Sequence, residues 1–203
     1  MAVPTLPSDD VLIPRLLAGD EKAYTQVVSA YHGLMVHLAK AIVGGAIADE
    51  VAQESWVAVL RALPGFQRRS SLKTWILRIV SNTAKSRLRH ESRSVNLDDA
   101  YGDQPVVDPS RFKPNAHWAN PPAMWHAETP DALLASTELR ACIDHALNSL
   151  PPMQRAAVAL RDMQGMDMET ICKVLDVTES NARVLLHRGR SHVQMAIEEH
   201  EKR

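Results

Sequence analysis

Apolar residues between Asp20 and Gly44 recur every three or four positions, the spacing of one face of an α-helix. Asp20 stands just before this pattern, where a short acidic side chain caps a helix, and Gly44–Gly45 follows its end. The pattern therefore predicts a long amphipathic helix. Its inward-facing residues are Tyr24, Val27, Val28, Tyr31, Leu34, Met35, Leu38 and Ile42.

Three more helices are predicted around it. A short apolar pattern over Val11–Ala18 ends at Gly19, a common helix stop. Another runs over about Ala48–Leu63 until Pro64–Gly65 breaks it, and a third runs over about Leu72–His90. Four helices in this length predict a compact all-α bundle. The inward residues of the last two helices are Ala52, Trp56, Val59, Leu60, Leu63, Leu72, Ile76, Ile79, Val80 and Leu88.

Residues 94–130 have no periodic apolar face and contain six prolines, the composition of a flexible linker. Two tryptophans, Trp118 and Trp125, are unusual in such a segment. They either dock on a neighbouring domain of the same chain or bind a partner. Helical patterns resume near Asp131, so the sequence predicts two small helical domains, at 9–93 and 131–195, joined by this linker.

The segment Met168–Arg190 has the spacing of a helix-turn-helix. Ile171, Cys172 and Leu175 form the inner face of a short helix, and Asp176–Thr178 makes a tight turn. Asp176 stands where glycine is usual, and aspartate tolerates the left-handed backbone that this position needs. Thr178, or Ser180 just after it, is expected to cap the next helix.

The second helix of such a motif presents its first turns to the edges of DNA bases. Ala182, Leu185 and Leu186 are expected to be buried. Arginine can bond guanine with two nitrogens, asparagine can reach a base or a phosphate, and valine can contact a thymine methyl group. The alternative is a plain helical hairpin with a solvated basic face. The residues expected to point outward are Asn181, Arg183, Val184, His187, Arg188 and Arg190.

Positive charge is concentrated in one stretch of an almost neutral chain. Residues 61–93 hold nine Lys and Arg against one Glu, whereas the whole chain has a net charge of −1. A basic stretch of this kind is typical of a surface that faces phosphates. Phe66, Arg68, Arg69, Ser70, Ser71, Lys73, Asn82 and Lys85 supply cations, hydroxyls, an amide and an aromatic ring for a nucleic-acid strand. The alternative is a solvated basic face, with Phe66 and Trp75 in the core. For Trp75 itself we expect a core position.

Other classes of protein find little support. The two cysteines, Cys142 and Cys172, lie in apolar patterns and are expected to be buried hydrophobes. No phosphate-binding glycine loop or nucleophile motif is visible, so we expect no catalytic residues, cofactor, metal or small-molecule substrate. There is no signal-peptide pattern and no apolar run of about 20 residues, so we expect a soluble, cytoplasmic protein without membrane insertion.

Five motifs, in order, resemble the extracytoplasmic-function (ECF) group of the sigma-70 family of RNA polymerase sigma factors. The run Phe66–Asn82, with Ala18–Tyr24 and Asp49–Glu54 before it, resembles sigma region 2. Leu150–Arg161 and the segment ending in Leu186–Arg190 resemble sigma region 4. The resemblance covers about residues 9–93 and 131–195.

This resemblance implies a non-enzymatic protein that binds core RNA polymerase, directs it to promoter DNA and helps open the duplex. Asp49, Glu50, Gln53 and Glu54 would dock on the polymerase, which suits an acidic face that cannot bind DNA. The basic stretch would read the −10 element and the helix-turn-helix the −35 element. An anti-sigma factor is expected as an inhibitor.

Two other hypotheses compete with this one. A conventional helix-turn-helix regulator would use its N-terminal helices to sense a ligand or to dimerise. A metal- or redox-switched regulator would use Cys142 with His145, and Cys172, but a lone C-x-x-H spacing is weak evidence for a metal site.

Overall fold

The structure is a computed structural model that describes residues 6–91 and 130–202; at residue 91 and over 130–136 it describes the backbone alone. All regular elements in these ranges are helical, which confirms the predicted all-α class. A 3₁₀ turn at Leu63–Gly65 extends α3, and a π-helical turn at Ala159–Met163 extends α6. The α-helices are α1 (Asp9–Leu17), α2 (Glu21–Val43), α3 (Ala48–Ala62), α4 (Leu72–Glu91), α5 (Pro130–Ser149), α6 (Pro152–Val158), α7 (Met168–Leu175) and α8 (Glu179–Glu201).

The ends of α2 follow directly from the sequence. The Asp20 carboxylate accepts hydrogen bonds from the backbone N–H groups of Lys22 and Ala23, at 2.9 and 3.2 Å. These are two of the donors that a helix N-terminus leaves without a partner inside the helix. Arg15 also binds this carboxylate, at 2.8 Å, and the hydrogen bond from Arg15 is the main cause that lowers the pKa of Asp20. At the other end, Gly44 has a φ of +83°, a conformation that glycine adopts without strain.

The described chain divides into two compact units. The first contains α1 to α4 together with residues 169–177, and the second contains α5, α6 and α8. The predicted boundaries 9–93 and 131–195 place residues 169–177 in the second domain instead, and those boundaries stay a prediction. Residues 94–129 of the predicted linker, with Trp118 and Trp125, lie outside the described ranges.

In the first unit, α2, α3 and α4 pack on one another and α1 packs on α2. The core follows the predicted periodicity at most positions, with Val27, Met35, Leu38, Ile42, Ala52, Val59, Leu72, Ile76 and Val80 all buried. Two predictions were wrong: Val28 and Leu60 are 41 % and 50 % exposed. Leu77, which was not predicted to be inward, is fully buried.

In the second unit, α8 packs on α5 and α6. α8 lies close to α6 at Gly189, where an added Cβ atom would stand 2.7 Å from Cγ2 of Val158 and 3.4 Å from the carbonyl oxygen of Gln154. Only a residue without a side chain fits this crossing, so Gly189 fixes where α8 meets α6. Within residues 6–91 and 130–202, no helix is both long enough and apolar enough to cross a membrane.

Candidate nucleic-acid interface

The acidic side chains of α3 form an exposed face. Asp49, Glu50, Gln53 and Glu54 are all exposed, as an interaction surface requires. Two of the carboxylates share one cation, Arg87 of α4, which offsets part of their charge. The Arg87 guanidinium binds Glu54 at 2.6 Å and 3.3 Å, and Glu50 lies 3.5 Å away. The face therefore carries less negative charge than its sequence suggests.

Two apolar residues extend this face toward the C-terminal end of α3. Val57 is 47 % exposed, and Leu60, which was expected in the core, is exposed as well. They follow Gln53 and Glu54 at helical spacing, so acidic and apolar groups lie along the same side of the helix. Exposed apolar side chains grouped in this way are typical of an interaction surface. Sequence reasoning missed them because it placed Leu60 inward and made no prediction for Val57.

The loop between α3 and α4, residues 66–71, places an aromatic pair beside a cleft. The rings of Phe66 and Trp75 lie 4.7 Å apart between centroids and are tilted by 36°. Trp75, expected in the core, is only partly buried. The cleft has a volume of about 340 Å³ and is lined by these two rings together with Arg69, Ser70 and Thr74, among others. It combines an apolar wall with hydroxyls and a cation.

The backbone of this loop is set by its hydrogen bonds and by one strained residue. Arg68 has a φ of +55°, in the left-handed region that side chains other than glycine rarely adopt. At the loop's end, Ser71 Oγ accepts a hydrogen bond from the Thr74 N–H at 3.2 Å, as an N-cap does. The N–H of Leu72 binds the Asp9 carboxylate of α1, at 2.8 Å.

The remaining predicted residues of the basic stretch differ in exposure. Asn82 is exposed and Lys73 is partly exposed. Lys85 was predicted to supply a cation for a nucleic-acid strand, but it is half-buried and its Nζ donates a hydrogen bond to the Leu175 carbonyl of α7. Burial lowers the pKa of Lys85. Arg78 likewise binds Asp176, at 2.9 Å. To bind a phosphate, Lys85 must exchange the Leu175 carbonyl for it.

The turn before α8 forms as predicted. Asp176 has a φ of +54°, the left-handed backbone expected there, and the Thr178 side chain caps α8 by accepting a hydrogen bond from the Asn181 N–H. Ala182, Leu185 and Leu186 are buried. Asn181 and Arg188 are partly exposed, whereas Arg183 and Val184 are exposed. Arg183 forms an ion pair with Glu179 one turn earlier.

Arg190 is a correction to the predicted site. It was expected to point outward, but it is 2 % exposed. Its guanidinium forms two hydrogen bonds with the Asp162 carboxylate, one of them 2.9 Å long. The spacing could have revealed this, because Arg190 follows the buried Leu186 by four residues and therefore shares its face. Arg190 holds α8 to the π-helical turn and cannot reach DNA from this position.

His187, also predicted to face outward, is only partly exposed. Burial, with a smaller contribution from the charge of Arg188, lowers the pKa of His187. The ring is therefore neutral near pH 7 and adds no positive charge to the face of α8.

The cysteines do not form a metal site with neighbouring residues in the described ranges. Cys142 and Cys172 are both free thiols of intermediate exposure, which differs from their expected burial. Cys142 donates a hydrogen bond to the Ala196 carbonyl. Across residues 6–91 and 130–202, no group of three or more His, Cys, Asp or Glu side chains is arranged to hold a metal ion.

Comparison with known families gives two matches in sequence order. Residues 27–94 match the model of sigma-70 region 2, and residues 140–193 match that of sigma-70 region 4. Together the matches cover more than half of the chain. They contain the acidic face of α3, the loop at 66–71 and the exposed residues of α8.

One protein is similar to this chain in sequence, and two solved structures are similar in fold. The ECF RNA polymerase sigma-E factor of Salmonella typhimurium is 28 % identical over 191 residues, which cover 94 % of this chain and 95 % of that protein. Two solved structures share the fold, each with a TM-score of 0.59. One is CnrH in complex with the cytosolic domain of CnrY, 16 % identical, with 95 % of this chain and 99 % of that chain covered. The other is the sigma factor RpoE of Bartonella quintana with the anti-sigma factor NepR, 18 % identical, with 87 % and 98 % covered.

Proposed function

Since this chain belongs to the extracytoplasmic-function group of the sigma-70 family, we propose that it directs core RNA polymerase to specific promoters and helps to open them. The observation that carries this proposal is the ordered pair of matches to sigma regions 2 and 4. Proteins of this family are transcription initiation factors and not enzymes, so we assign no catalytic residue. The alternative, a conventional helix-turn-helix regulator with a sensing or dimerising domain, is not favoured because its N-terminal helices would not match sigma region 2.

The loop at 66–71 and the exposed side of α4 are proposed to recognise the −10 element. An unstacked base would enter the cleft beside Phe66, where aromatic stacking contributes about 1–3 kcal/mol per base. This contribution offsets the few kcal/mol that removing a base from the duplex costs. The proposed −10 residues are Phe66, Arg68, Arg69, Ser70, Ser71, Lys73, Asn82 and Lys85.

The acidic face of α3 is proposed to dock on core polymerase. Asp49, Glu50, Gln53 and Glu54 would meet a basic surface there, and DNA phosphates would be repelled from them. The exposed side chains of Val57 and Leu60 would add apolar area to the contact. We expect the affinity for core polymerase to decrease as the salt concentration is raised, with part of the affinity retained.

The first turns of α8 are proposed to read the −35 element. We propose that Arg183 and Val184, which are exposed, contact base edges, and that Asn181, His187 and Arg188 contact bases or phosphates. Arg190 is removed from this set because it is buried. We further expect an anti-sigma factor as a protein partner, as in the Bartonella quintana complex, and a cytoplasmic site of action, where polymerase and DNA are found.

The test is binding of the purified chain to bacterial core RNA polymerase, followed by transcription from a promoter library. We expect stable binding and new start sites that share two sequence elements. Arg183→Ala should lose −35 selection and keep polymerase binding. The double variant Glu50→Ala with Glu54→Ala should lose polymerase binding and keep −35 selection. If each variant lost both activities equally, this division of labour would be wrong. Absence of polymerase binding together with dimeric DNA binding would favour the conventional regulator.

A further inference from the structure

The first helix of the chain, α1, makes a direct contact at the end of the loop that we assign to the −10 element. Asp9 is the first residue of α1, and its Oδ2 accepts a hydrogen bond from the N–H of Leu72, the first residue of α4, at 2.8 Å. The two residues are 63 positions apart in sequence. An acceptor at a helix N-terminus stabilises that end of the helix and fixes the chain that enters it.

Asp9 belongs to a helix that is anchored on the core of the first unit. Leu12, Ile13 and Leu16 of α1 are buried. At the end of α1, the Tyr24 hydroxyl of α2 donates a hydrogen bond to the Leu16 carbonyl, at 2.9 Å. Because α1 is anchored in this way, the position of the Asp9 carboxylate is set by the core. The Leu72 N–H that it binds is positioned accordingly, and with it the end of the loop.

Two other contacts act near this end of the loop. Ser71 caps α4 through the Thr74 N–H, which leaves the Leu72 N–H to Asp9. Arg68, in its left-handed conformation, meets Asp10 at 3.3 Å, but Asp10 is 89 % exposed, so this ion pair is weak. Phe66 contacts Trp75 at the start of α4. A shift of the first turn of α4 would therefore move both rings that line the cleft.

We propose that Asp9 is a positioning residue for promoter recognition: it holds the N-terminus of α4 so that the loop at 66–71 has the shape that reads the −10 strand. Asp9 does not touch DNA, since its negative charge would repel phosphates. This inference rests on the proposed function of the loop. It adds α1, which carries no basic surface of its own beyond Arg15, to the elements on which base recognition depends.

The test uses holoenzyme assembled from the full chain and core polymerase, and a single-stranded DNA pool that is randomised at the −10 positions. We expect Asp9→Ala to bind the preferred strand roughly five- to tenfold more weakly, the range of a lost N-cap, with flatter base preference. Affinity for core polymerase should stay within twofold. Asp9→Asn keeps an oxygen acceptor and should restore strand binding. Asp10→Ala, which removes the same charge one residue away, is the matched control and should resemble the wild type.

Three outcomes would overturn the inference. Asp9→Ala could bind the strand as the wild type does. It could lose strand and polymerase binding equally with a lower melting temperature, which is a purely structural effect. Or Asp9→Asn could fail to restore strand binding. Phe66→Ala separates this inference from the proposed function. If Phe66→Ala binds the preferred strand normally, the assignment of the loop to the −10 element is wrong. If Phe66→Ala loses strand binding while Asp9→Ala does not, only the role of Asp9 is wrong.

Discussion

Arg87 of α4 binds the Glu54 carboxylate of α3 through two of its nitrogens, at 2.6 and 3.3 Å. The pair joins the basic helix to the acidic one, so the proposed polymerase face and the proposed DNA face are linked by a side-chain ion pair as well as by helix packing. Both side chains are more than a third exposed, which limits how strongly the pair stabilises the fold.

A double-mutant cycle measures this contact. Arg87→Ala, Glu54→Ala and the double variant should give a coupling free energy of about 0.5 kcal/mol in urea unfolding, the range of exposed ion pairs. The coupling should decrease as salt is raised, because solvent and ions screen exposed charges. A coupling above about 2 kcal/mol, or one that is independent of salt, would contradict the exposure seen in the structure.

Gly189 gives a prediction for stability in the second unit. Gly189→Ala places a methyl group within 2.7 Å of Val158 Cγ2 and should lower the free energy of unfolding by about 1–3 kcal/mol. Adding Val158→Ala provides space and should recover part of this loss. The matched control is Gly33→Ala in α2, where an added Cβ atom would meet nothing within 4 Å outside its chain neighbours and its own helix backbone; that change should stabilise by about 0.5–1 kcal/mol. Equal changes in the free energy of unfolding for Gly189→Ala and Gly33→Ala would argue against a close contact between α8 and α6 at Gly189.

Arg190 and Arg183 should behave differently although both lie on α8. Asp162→Ala leaves the buried Arg190 guanidinium without its carboxylate and should lower the free energy of unfolding by about 2–3 kcal/mol, because Asp162 is itself partly exposed. Arg183→Ala should leave unfolding within about 0.5 kcal/mol of the wild type and weaken promoter binding. Urea unfolding and binding to −35 DNA measure the two effects. Unchanged stability in Asp162→Ala would overturn the buried-pair assignment.

His187 makes the stability of the fold depend on pH. Its folded pKa is lower than its unfolded value of about 6.5, so the unfolded chain takes up the proton first as pH falls. Stability should therefore decrease as pH drops below about 6.5, and the decrease ends below the folded pKa. Comparing the wild type with His187→Gln by unfolding at about pH 7.5 and about pH 5.5 isolates this contribution. An identical pH dependence in both proteins would remove His187 as its source.

The fold was predictable where signals are local. Gly19, Gly44 and Pro64–Gly65 mark helix ends through backbone chemistry that requires no tertiary contact, and Asp20 caps α2 as expected. Leu60 could not be placed in this way. It lies near the edge of the apolar face of α3, and which edge is covered depends on the packing of α2 and α4.

The residues of the candidate site also differ in whether local sequence signals could place them. The exposed arginine and valine of α8 follow from helical spacing alone, and the same spacing, applied strictly, would have placed Arg190 inward. The hydrogen bond from Leu72 to Asp9 and the ion pair between Arg87 and Glu54 join different helices, so nothing in the local pattern indicates them.

The link between Asp9 and Leu72 also has a consequence for how the protein is made. A ribosome adds residue 9 well before residue 72, so α1 leaves the ribosome before the N–H group that its carboxylate binds has been synthesised. The loop that lies next to Leu72 takes its final shape only after α4 has emerged and packed against α2. A nascent chain that ends before α4 therefore has its acidic α3 but lacks the finished loop, and by the proposed roles it would acquire the polymerase-facing surface before it could select a promoter.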